Sequence, residues 1–589
     1  MTAVNFSSNL NSLWASLIVE ELFRLGCHFF VLSPGSRSAP LTAAVARNEK
    51  VKSTVCFDER SAAFYALGIA KATQKPVAVI VTSATAVANL MPAIVEASMD
   101  RVPLIILTAD RPFELRQVGA NQTIDQVKIF GNYVREFIDL PPPDDRISAR
   151  VLLGIIDQLF LKSLKPLAGP VHLNCMFREP LEPDEVQTYN AAFLTDLQVW
   201  QTHEKPLTKH WSHQNYLAKS EPAQIANTLS HAERGVIVVG YLKDTAALPF
   251  ILQLSRVLQW PILAEVTSGL RFLQDPMVIH TVDHLLLHPQ YFEQKLDMVL
   301  HFGGRLTSKR LQQFLENHKG KSYILVDDHF ERLDPNFLVT DRVYTNATFF
   351  CQEVCVAIQP SVCAESWVQD WQEGSEKLDK LFCQIIDGSD ELSEPYVARA
   401  ISQSDWSTRA LFLSSSMPIR DMSMFASAGL EAPMVGANRG ASGIDGIMST
   451  ACGFAVGLAK PVTLLIGDLA FLHDGNGLSF LSKMTVPMVI VVLNNQGGGI
   501  FSFLPIAKAT DIFSQFFDTP HEHRLEGLSH AFAVKHIKVT TTREFDQAYQ
   551  EALACGQHRV IEVMSNTALN WKHHEYLKEK VIERLQHLC

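Results

Sequence analysis

Among the residues whose type and spacing suit them to chemistry, Asp468 and Asn495 come first. Asp468 follows the apolar run Val462–Ile466, and Asn495 follows Met488–Leu493 and Asn494. Each run is five or six residues long and rich in β-branched side chains, the signature of a buried parallel strand. Between them, Leu478, Leu481 and Met484, with neighbouring Phe480, predict a helix over Gly477–Met484. The stretch thus reads as strand, loop, helix, strand, and Asn495 trails Asp468 by 27 positions, one crossover unit. Both side chains then leave the carboxyl edge of one sheet, where doubly wound folds bind their ligands. One carboxylate, one amide oxygen and the carbonyls of the Gly497–Gly499 turn make a hard oxygen set. Such a set suits Mg2+, which draws its other ligands from water and substrate phosphates. The chemistry implied is a metal-anchored diphosphate. The same residues also suit a plain helix cap at Asp468 followed by a Gly-rich turn.

A second group lies in the N-terminal third. After a predicted strand over Cys27–Leu32 comes the loop Ser33-Pro34-Gly35-Ser36-Arg37-Ser38, leading into an Ala-rich helix. Ser36 and Arg37 there suit an anion at a helix start, and an ordinary βα turn fits them equally. Asp58-Glu59-Arg60 opens a predicted helix over Ser61–Ala72, with Asp58 as its cap and Glu59 favoured by the helix dipole. Glu59 also lies among Phe57, Ala62, Ala63 and Phe64, and an apolar setting raises a carboxyl pKa and suits it to share a proton with a heterocycle. Arg111 ends another strand, and Asn121 and Gln122 follow in a polar loop, so all belong to the sheet edge of Ser36 and Arg37.

Further candidates sit at later strand ends. Gly303-Gly304-Arg305 and Lys309-Arg310 face either a ligand or solvent at a helix start. Ser416 and Arg420 follow the strand Leu411–Ser414, and Arg439 and Ile444 belong to the loop Asn438–Gly446. His521 and His523 read as part of a solvated loop.

The elements that position these residues alternate. Strands are predicted at Val77–Val81, Leu104–Thr108, Val171–Asn174, Val236–Val239, Ile262–Ala264, Val299–Phe302 and Tyr323–Asp327, separated by helical stretches; Asn9–Gly26 reads as a helix stopped by Gly26. Polar, Pro-bearing breaks fall at 178–220 and 357–392. Length alone predicts about four domains at roughly 150 residues each, with three equally compatible. Three α/β blocks, of doubly wound parallel-sheet type, are expected: 1–185, 186–365 and 366–589.

Composition narrows the class. With 47% hydrophobic and 19% charged residues, the chain is globular with large buried sheets. Its net charge of −11 argues against nucleic acid or an anionic membrane as partner. An anionic substrate therefore has to be held by locally placed arginines. Ten cysteines lack metal-ligand spacing, which fits thiols of a reducing compartment. No apolar run approaches the roughly 20 residues of a membrane helix, and the start lacks a signal peptide; a cytoplasmic protein without membrane insertion is expected.

Taken together, SPGSRS, FDERSAAF, TADRP, ANQTIDQ, NRGASGIDG, GDLAF and NNQGGGIF resemble one family. It is the thiamine diphosphate-dependent 2-succinyl-5-enolpyruvyl-6-hydroxy-3-cyclohexene-1-carboxylate synthases of menaquinone biosynthesis. The resemblance implies an N-terminal pyrimidine-binding domain, a middle domain, and a C-terminal diphosphate- and metal-binding domain. It implies a homodimer or dimer of dimers with active sites between subunits. Asp468, Asn495 and the carbonyl of Gly497 would hold Mg2+ (or Mn2+), beside Gly467. Glu59 would contact the aminopyrimidine, Ile444 would bend the cofactor, and Ile500 and Phe501 would line the thiazolium. Ser416, Arg420 and Arg439 would be catalytic and surround the succinyl-bearing intermediate formed from 2-oxoglutarate. Ser36, Arg37, Arg111, Asn121, Gln122, Lys309 and Arg310 would surround isochorismate. The reaction implied is decarboxylation of 2-oxoglutarate followed by 1,4-addition to isochorismate.

Two other readings compete. A thiamine diphosphate-dependent 2-oxo acid decarboxylase or carboligase of the acetolactate synthase type shares the metal motif, yet with one carboxylate to hold it has no need of so many strand-end arginines. A non-catalytic nucleotide- or flavin-binding module fits the α/β repetition, yet no Gly-x-Gly-x-x-Gly follows a strand with an acidic residue about 20 positions on.

Overall fold

The computed structural model describes residues 9–183, 193–211, 216–318, 321–358, 363 and 365–586. Parts of the expected linker (184–192 and 212–215), the expected boundary at 185/186, and 359–362 within the second expected break lie outside the described residues.

Three parallel sheets carry the chain, as expected. The first comprises β1 (Phe29–Ser33), β2 (Lys52–Val55), β3 (Val77–Val81), β4 (Leu104–Asp110), β5 (Phe137–Leu140) and β6 (Val171–Met176), in the order β2-β1-β3-β4-β6-β5. The second comprises β7 (Gly235–Val239), β8 (Ile262–Ala264), β9 (Met298–Phe302), β10 (Ser322–Val326) and β11 (Asp341–Val343), ordered β11-β10-β9-β7-β8. The third comprises β12 (Ala410–Leu413), β13 (Met434–Ala437), β14 (Val462–Gly467), β15 (Met488–Asn494), β16 (Lys535–Val539) and β17 (Arg559–Met564), ordered β13-β12-β14-β15-β17-β16. Counted from its own first strand, the third sheet repeats the order of the first, although the sequence holds no visible repeat. Arg37 after β1 and Arg420 after β12 therefore occupy equivalent places, as do Arg111 after β4 and Asn495 after β15.

The interior strands form where the sequence supplies uninterrupted apolar residues: β3, β7 and β9 are buried at every position. Buried on both faces by crossover helices, such strands need no alternation. Two elements differ in type from their expectation. Asp468–His473, within the expected loop, is an α-helix. Gly475–Lys483 is a 3-10 helix, not an α-helix. Leu478, Leu481 and Met484 recur at a strict spacing of three, the period at which side chains eclipse in a 3-10 helix.

Residues Met1–Ser212, Asn438–Ala459 and His473–Val486 gather into one compact unit. The remainder, His213–Ala437, Lys460–Leu472 and Pro487–Cys589, forms a second. Within the first unit, the helix Glu59–Thr73 packs closely along the helix Ile447–Leu458. A side chain on Gly68 would lie 2.0 Å from the Thr450 carbonyl oxygen, and one on Gly453 would lie 1.9 Å from that of Tyr65. Two glycines facing opposite ways thus let the backbones meet. Tyr65 completes the contact by stacking on Phe480, with ring centroids 4.1 Å apart.

In the second unit, Glu265 follows β8 and is almost fully buried. Its Oε1 accepts the N–H groups of Thr307 and Ser308, at 2.7 and 2.9 Å, while Oε2 has no hydrogen-bond partner among the described residues. Burial pushes this carboxyl from 4.5 up to about 7. A raised carboxyl binds its proton more tightly in the folded protein, so stability falls as pH rises between those two values. The whole effect is about 3 kcal/mol. Glu265→Gln is therefore expected to leave Tm unchanged near pH 4.5 and to raise it above pH 7, read by thermal denaturation across that range.

Candidate active site

In the second unit, the register Val462↔Met488 to Gly467↔Leu493 makes β14 and β15 end together. Asp468 and Asn495 therefore emerge side by side. The Gly497 N–H donates to Asp468 Oδ2 at 3.0 Å and to Asn495 Oδ1 at 3.2 Å, so both oxygens converge on one point. The Leu469 N–H holds the other Asp468 oxygen at 2.7 Å. Asp468 is buried, and burial raises its pKa against the opposing pull of these N–H groups and of His521.

The glycines of this turn are required by close approach. A Cβ on Gly497 would lie 2.4 Å from the Asp518 carbonyl oxygen, and one on Gly499 would lie 2.4 Å from Asn495 Nδ2. The segment that crowds them continues to His521, whose Nε2 is 3.2 Å from Asp468 Oδ2. His521 also donates its own N–H to the Gln496 carbonyl. The solvated loop expected at His521 and His523 is thus corrected for His521 alone: its side chain is only 7% exposed and its ring stacks on that of His523, which is itself exposed. Nothing in the local sequence announces this, because the partner lies 53 residues upstream.

Behind Asn495 stands Glu394, which is buried and takes part in holding the amide. Its Oε1 accepts from Ser565 Oγ at 2.8 Å and from Asn495 Nδ2 at 3.4 Å. With Nδ2 so engaged, Asn495 turns Oδ1 toward Asp468. Burial and then the Asp421 charge push Glu394 up to about 7.

A buried carboxylate and an oriented amide oxygen, converging beside a turn that only glycine can form, fit a hard divalent cation. The fit does not require a cluster of His, Cys, Asp and Glu, and among the described residues no such cluster of three or more occurs. Ile500 and Phe501, in the 3-10 turn Gly499–Phe503, follow directly and are half-buried; the Phe501 ring lies 5.8 Å from that of Phe517. At the end of β12, Ser416 adopts φ 74° and ψ −135°, a strained backbone for a residue with a side chain. Its carbonyl accepts a hydrogen bond from Arg420 Nη1. Arg420 lies on the helix Met417–Phe425, and burial lowers its pKa.

Elsewhere in this unit, Arg310 is ion-paired with Asp283 at 2.8 Å and Lys309 is exposed, both at the start of the helix Lys309–Glu316. Gly304 and Arg305 line a cavity of about 530 Å³ from which Lys309 and Arg310 are absent.

In the first unit, the ends of β1, β3 and β4 assemble a second group around Ser83, which the sequence did not single out. Ser83 Oγ accepts from Arg111 Nη1 and donates to the Gln122 carbonyl at 3.0 Å, and Gln122 Nε2 lies 3.4 Å from the Ser83 carbonyl. Arg37 is buried, with Nη1 on the Phe177 carbonyl at 2.8 Å and Nη2 3.5 Å from Glu179. Burial first, and then the neighbouring Arg37 charge, lowers the Arg111 pKa. Two guanidinium groups held close enough to repel form an electropositive edge suited to carboxylates. Ser36 and Asn121 are exposed beside it.

Glu59 begins the helix Glu59–Thr73, capped as expected by Asp58, whose side chain accepts from the Ser61 N–H. The carboxylate of Glu59 is half-buried and lies 3.4 Å from Asn89 Nδ2. Of the four apolar neighbours anticipated for Glu59, Ala62, Ala63 and Phe64 are buried and Phe57 is 67% exposed. In the loop Asn438–Gly446, Arg439 and Ile444 are half-buried.

The chain matches three family models. These are the N-terminal thiamine pyrophosphate-binding domain of thiamine pyrophosphate enzymes over residues 14–129, their middle domain over 191–413, and their C-terminal thiamine pyrophosphate-binding domain over 433–563. A 2-succinyl-5-enolpyruvyl-6-hydroxy-3-cyclohexene-1-carboxylate synthase of Pelodictyon phaeoclathratiforme is 41% identical, across 98% of this chain and 97% of that protein. The protein of the same name from Rubrobacter xylanophilus is 42% identical, across 96% and 98%. Among solved structures, the benzoylformate decarboxylase of Polynucleobacter necessarius superposes with a TM-score of 0.69 over 94% of this chain and 98% of that one. At 16% identity, that likeness concerns the fold alone.

Proposed function

The chain belongs to the 2-succinyl-5-enolpyruvyl-6-hydroxy-3-cyclohexene-1-carboxylate synthases, and from that membership we propose that it removes CO2 from 2-oxoglutarate and adds the remaining four-carbon unit to isochorismate by 1,4-addition, in menaquinone biosynthesis. The observation that carries the site assignment is the convergence of Asp468 Oδ2 and Asn495 Oδ1 on the Gly497 N–H at the shared end of β14 and β15.

Thiamine diphosphate, when bound, supplies a nucleophilic carbon and an electron sink for the departing CO2. The residues of the chain do the rest. Asp468, Asn495 and the Gly497 carbonyl hold Mg2+ (or Mn2+) against the diphosphate, next to Gly467. Glu59 would share a proton with the aminopyrimidine ring. Ile444 would be the apolar buttress of the cofactor, while Ile500 and Phe501 would line its thiazolium and keep water from it. Ser416, Arg420 and Arg439 receive the carboxylates of 2-oxoglutarate. Ser36, Arg37, Arg111, Asn121, Gln122, Lys309 and Arg310 receive isochorismate. The Arg37–Arg111 pair supports this division, since a dicarboxylate relieves its repulsion. The active unit is a homodimer or dimer of dimers, with sites between subunits; the exposure of Phe57 beside Glu59 supports a covering partner. The enzyme works in the cytoplasm; among the described residues no helix is long and apolar enough to cross a membrane.

The test follows isochorismate absorbance with purified protein, thiamine diphosphate and Mg2+, with and without 2-oxoglutarate. Consumption that requires every component supports the reaction. Release of CO2 from a 2-oxo acid with isochorismate untouched would replace it by the decarboxylase reading. Within the site, Arg420→Ala is expected to raise the KM for 2-oxoglutarate by about 10- to 100-fold, the worth of one charge-assisted contact. Steady-state kinetics on each substrate separately checks it.

A further inference from the structure

The loop that carries Arg439 is held by a residue far away in sequence. Glu96, on the helix Met91–Met99, is 3% exposed. Its Oε1 accepts the Gly440 N–H at 2.8 Å, and its Oε2 accepts the Ala441 N–H at 2.6 Å. Each carboxylate oxygen therefore grips one of the two peptide groups immediately after Arg439. On the other side of Arg439, Asn438 Nδ2 donates to Thr450 Oγ1 at 3.0 Å. Gly440 meets the Glu96 helix so closely that a Cβ would lie 2.5 Å from the Glu96 carbonyl oxygen and 3.0 Å from the Asp100 nitrogen. The loop cannot move toward that helix, and the carboxylate keeps it from moving away.

The Glu96 charge is itself provided for. Lys71, buried in the last turn of the helix Glu59–Thr73, lies 3.7 Å from Glu96 Oε1 and pairs also with Asp100. The ion pair offsets the burial of the carboxylate, and a charge-assisted bond to a peptide N–H is the stronger kind. Turning two successive N–H groups onto one anion also fixes the peptide planes between them.

We propose that Glu96 is a positioning residue for the carboligation: by clamping the peptides of Gly440 and Ala441 it fixes the reach of the Arg439 guanidinium, and so sets the preference for a 2-oxo dicarboxylic acid over a 2-oxo monocarboxylic acid. The proposal rests on the assignment of Arg439 to a carboxylate of 2-oxoglutarate. Glu96 itself touches neither substrate nor cofactor.

The experiment uses the full chain loaded with thiamine diphosphate and Mg2+, and compares Glu96→Ala, Glu96→Gln, Arg439→Ala and the Glu96→Ala/Arg439→Ala double variant. KM and kcat are measured separately for 2-oxoglutarate and isochorismate, together with decarboxylation of pyruvate. The cofactor-induced rise in Tm is recorded for each protein. Glu96→Ala is expected to raise the KM for 2-oxoglutarate at least tenfold. Its KM for isochorismate should stay within twofold, with the Tm rise retained and the preference over pyruvate reduced. Glu96→Gln, which keeps one acceptor oxygen, should fall between. The double variant should be no worse than Arg439→Ala, because the clamp acts only through that side chain. If Arg439→Ala raises the KM for 2-oxoglutarate and Glu96→Ala does not, the clamp alone is overturned. A 2-oxoglutarate KM unmoved by Arg439→Ala overturns the Arg439 assignment and the clamp with it. Equal damage to both substrates, or full additivity in the double variant, also overturns it. Should Glu96→Ala fail to fold, Glu96→Asp keeps the charge opposite Lys71, withdraws the carboxylate by one methylene, and gives the same comparison.

Discussion

Asp468→Asn is expected to lower turnover by at least about 10³-fold while leaving the cofactor-free protein no less stable than wild type at pH 8. The first half follows from the metal's role: a divalent ion holding a diphosphate contributes several kcal/mol, and about 4 kcal/mol corresponds to 10³ in rate. The second half follows from burial. Asp468 is 2% exposed and its pKa is raised, so the ionised carboxylate is a burden to the folded protein until a cation neutralises it. An amide of the same shape can still accept the Leu469 N–H; its NH2 then faces the Gly497 N–H, and losing that one bond, about 1 kcal/mol, costs less than the burden removed. The decisive readout is the rise in Tm on adding Mg2+ with thiamine diphosphate, large for wild type and absent for Asp468→Asn. A variant that kept the Tm rise would place the metal elsewhere.

Glu59→Gln should show the opposite pattern: a rise in Tm with Mg2+ and thiamine diphosphate close to wild type, with kcat lowered by about 10²- to 10⁴-fold, the range of a proton-transfer partner. Gln keeps the size and the place beside Asn89, and the Asp58 cap of the helix is untouched. The loss is therefore one of proton transfer and not of folding. Exchange of the thiazolium C2 hydrogen for deuterium, followed by NMR on the bound cofactor, isolates the step. Exchange at the wild-type rate in Glu59→Gln would remove Glu59 from it.

The interior strands of each sheet, β17 excepted, were legible in the sequence, and of the rims only β8 was. The expected strands match β3 and β8 residue for residue and most others to within one or two positions. The strands left unanticipated are β2, β5, β11, β13, β16 and β17, and all but β17 are sheet edges. An edge strand has one neighbour and no obligation to be continuously apolar; β2, read Lys52-Ser53-Thr54-Val55, has no fully buried position. β17 is interior but carries Glu562, which lies 2.8 Å from His536 Nε2 and accepts a hydrogen bond from Asn494 Nδ2 at 2.6 Å. That pairing spans strands, so no local pattern could reveal it. The site divides in the same way. Asp468, Asn495 and Gly497 belong to one crossover unit, and their convergence followed from strand length and register. The side chains of Ser83, Glu96, Glu394 and His521 are hydrogen-bonded to partners between 28 and 345 residues away, and each was invisible for that reason.

The glycine-to-backbone contact between the helices Glu59–Thr73 and Ile447–Leu458 also has a bearing on synthesis. Gly68 leaves the ribosome 385 residues before Gly453. At about 5–20 residues per second, the first helix waits roughly 20–80 s for the surface that covers it. During that interval the face built from Tyr65, Gly68 and Ile69 is apolar and uncovered in the nascent chain. A transcript cut short before residue 438 would leave it so permanently. The N-terminal sheet is thus finished early, but the unit around it closes only at Val486, when more than four-fifths of the chain has been made, so this helix face stays uncovered through most of translation.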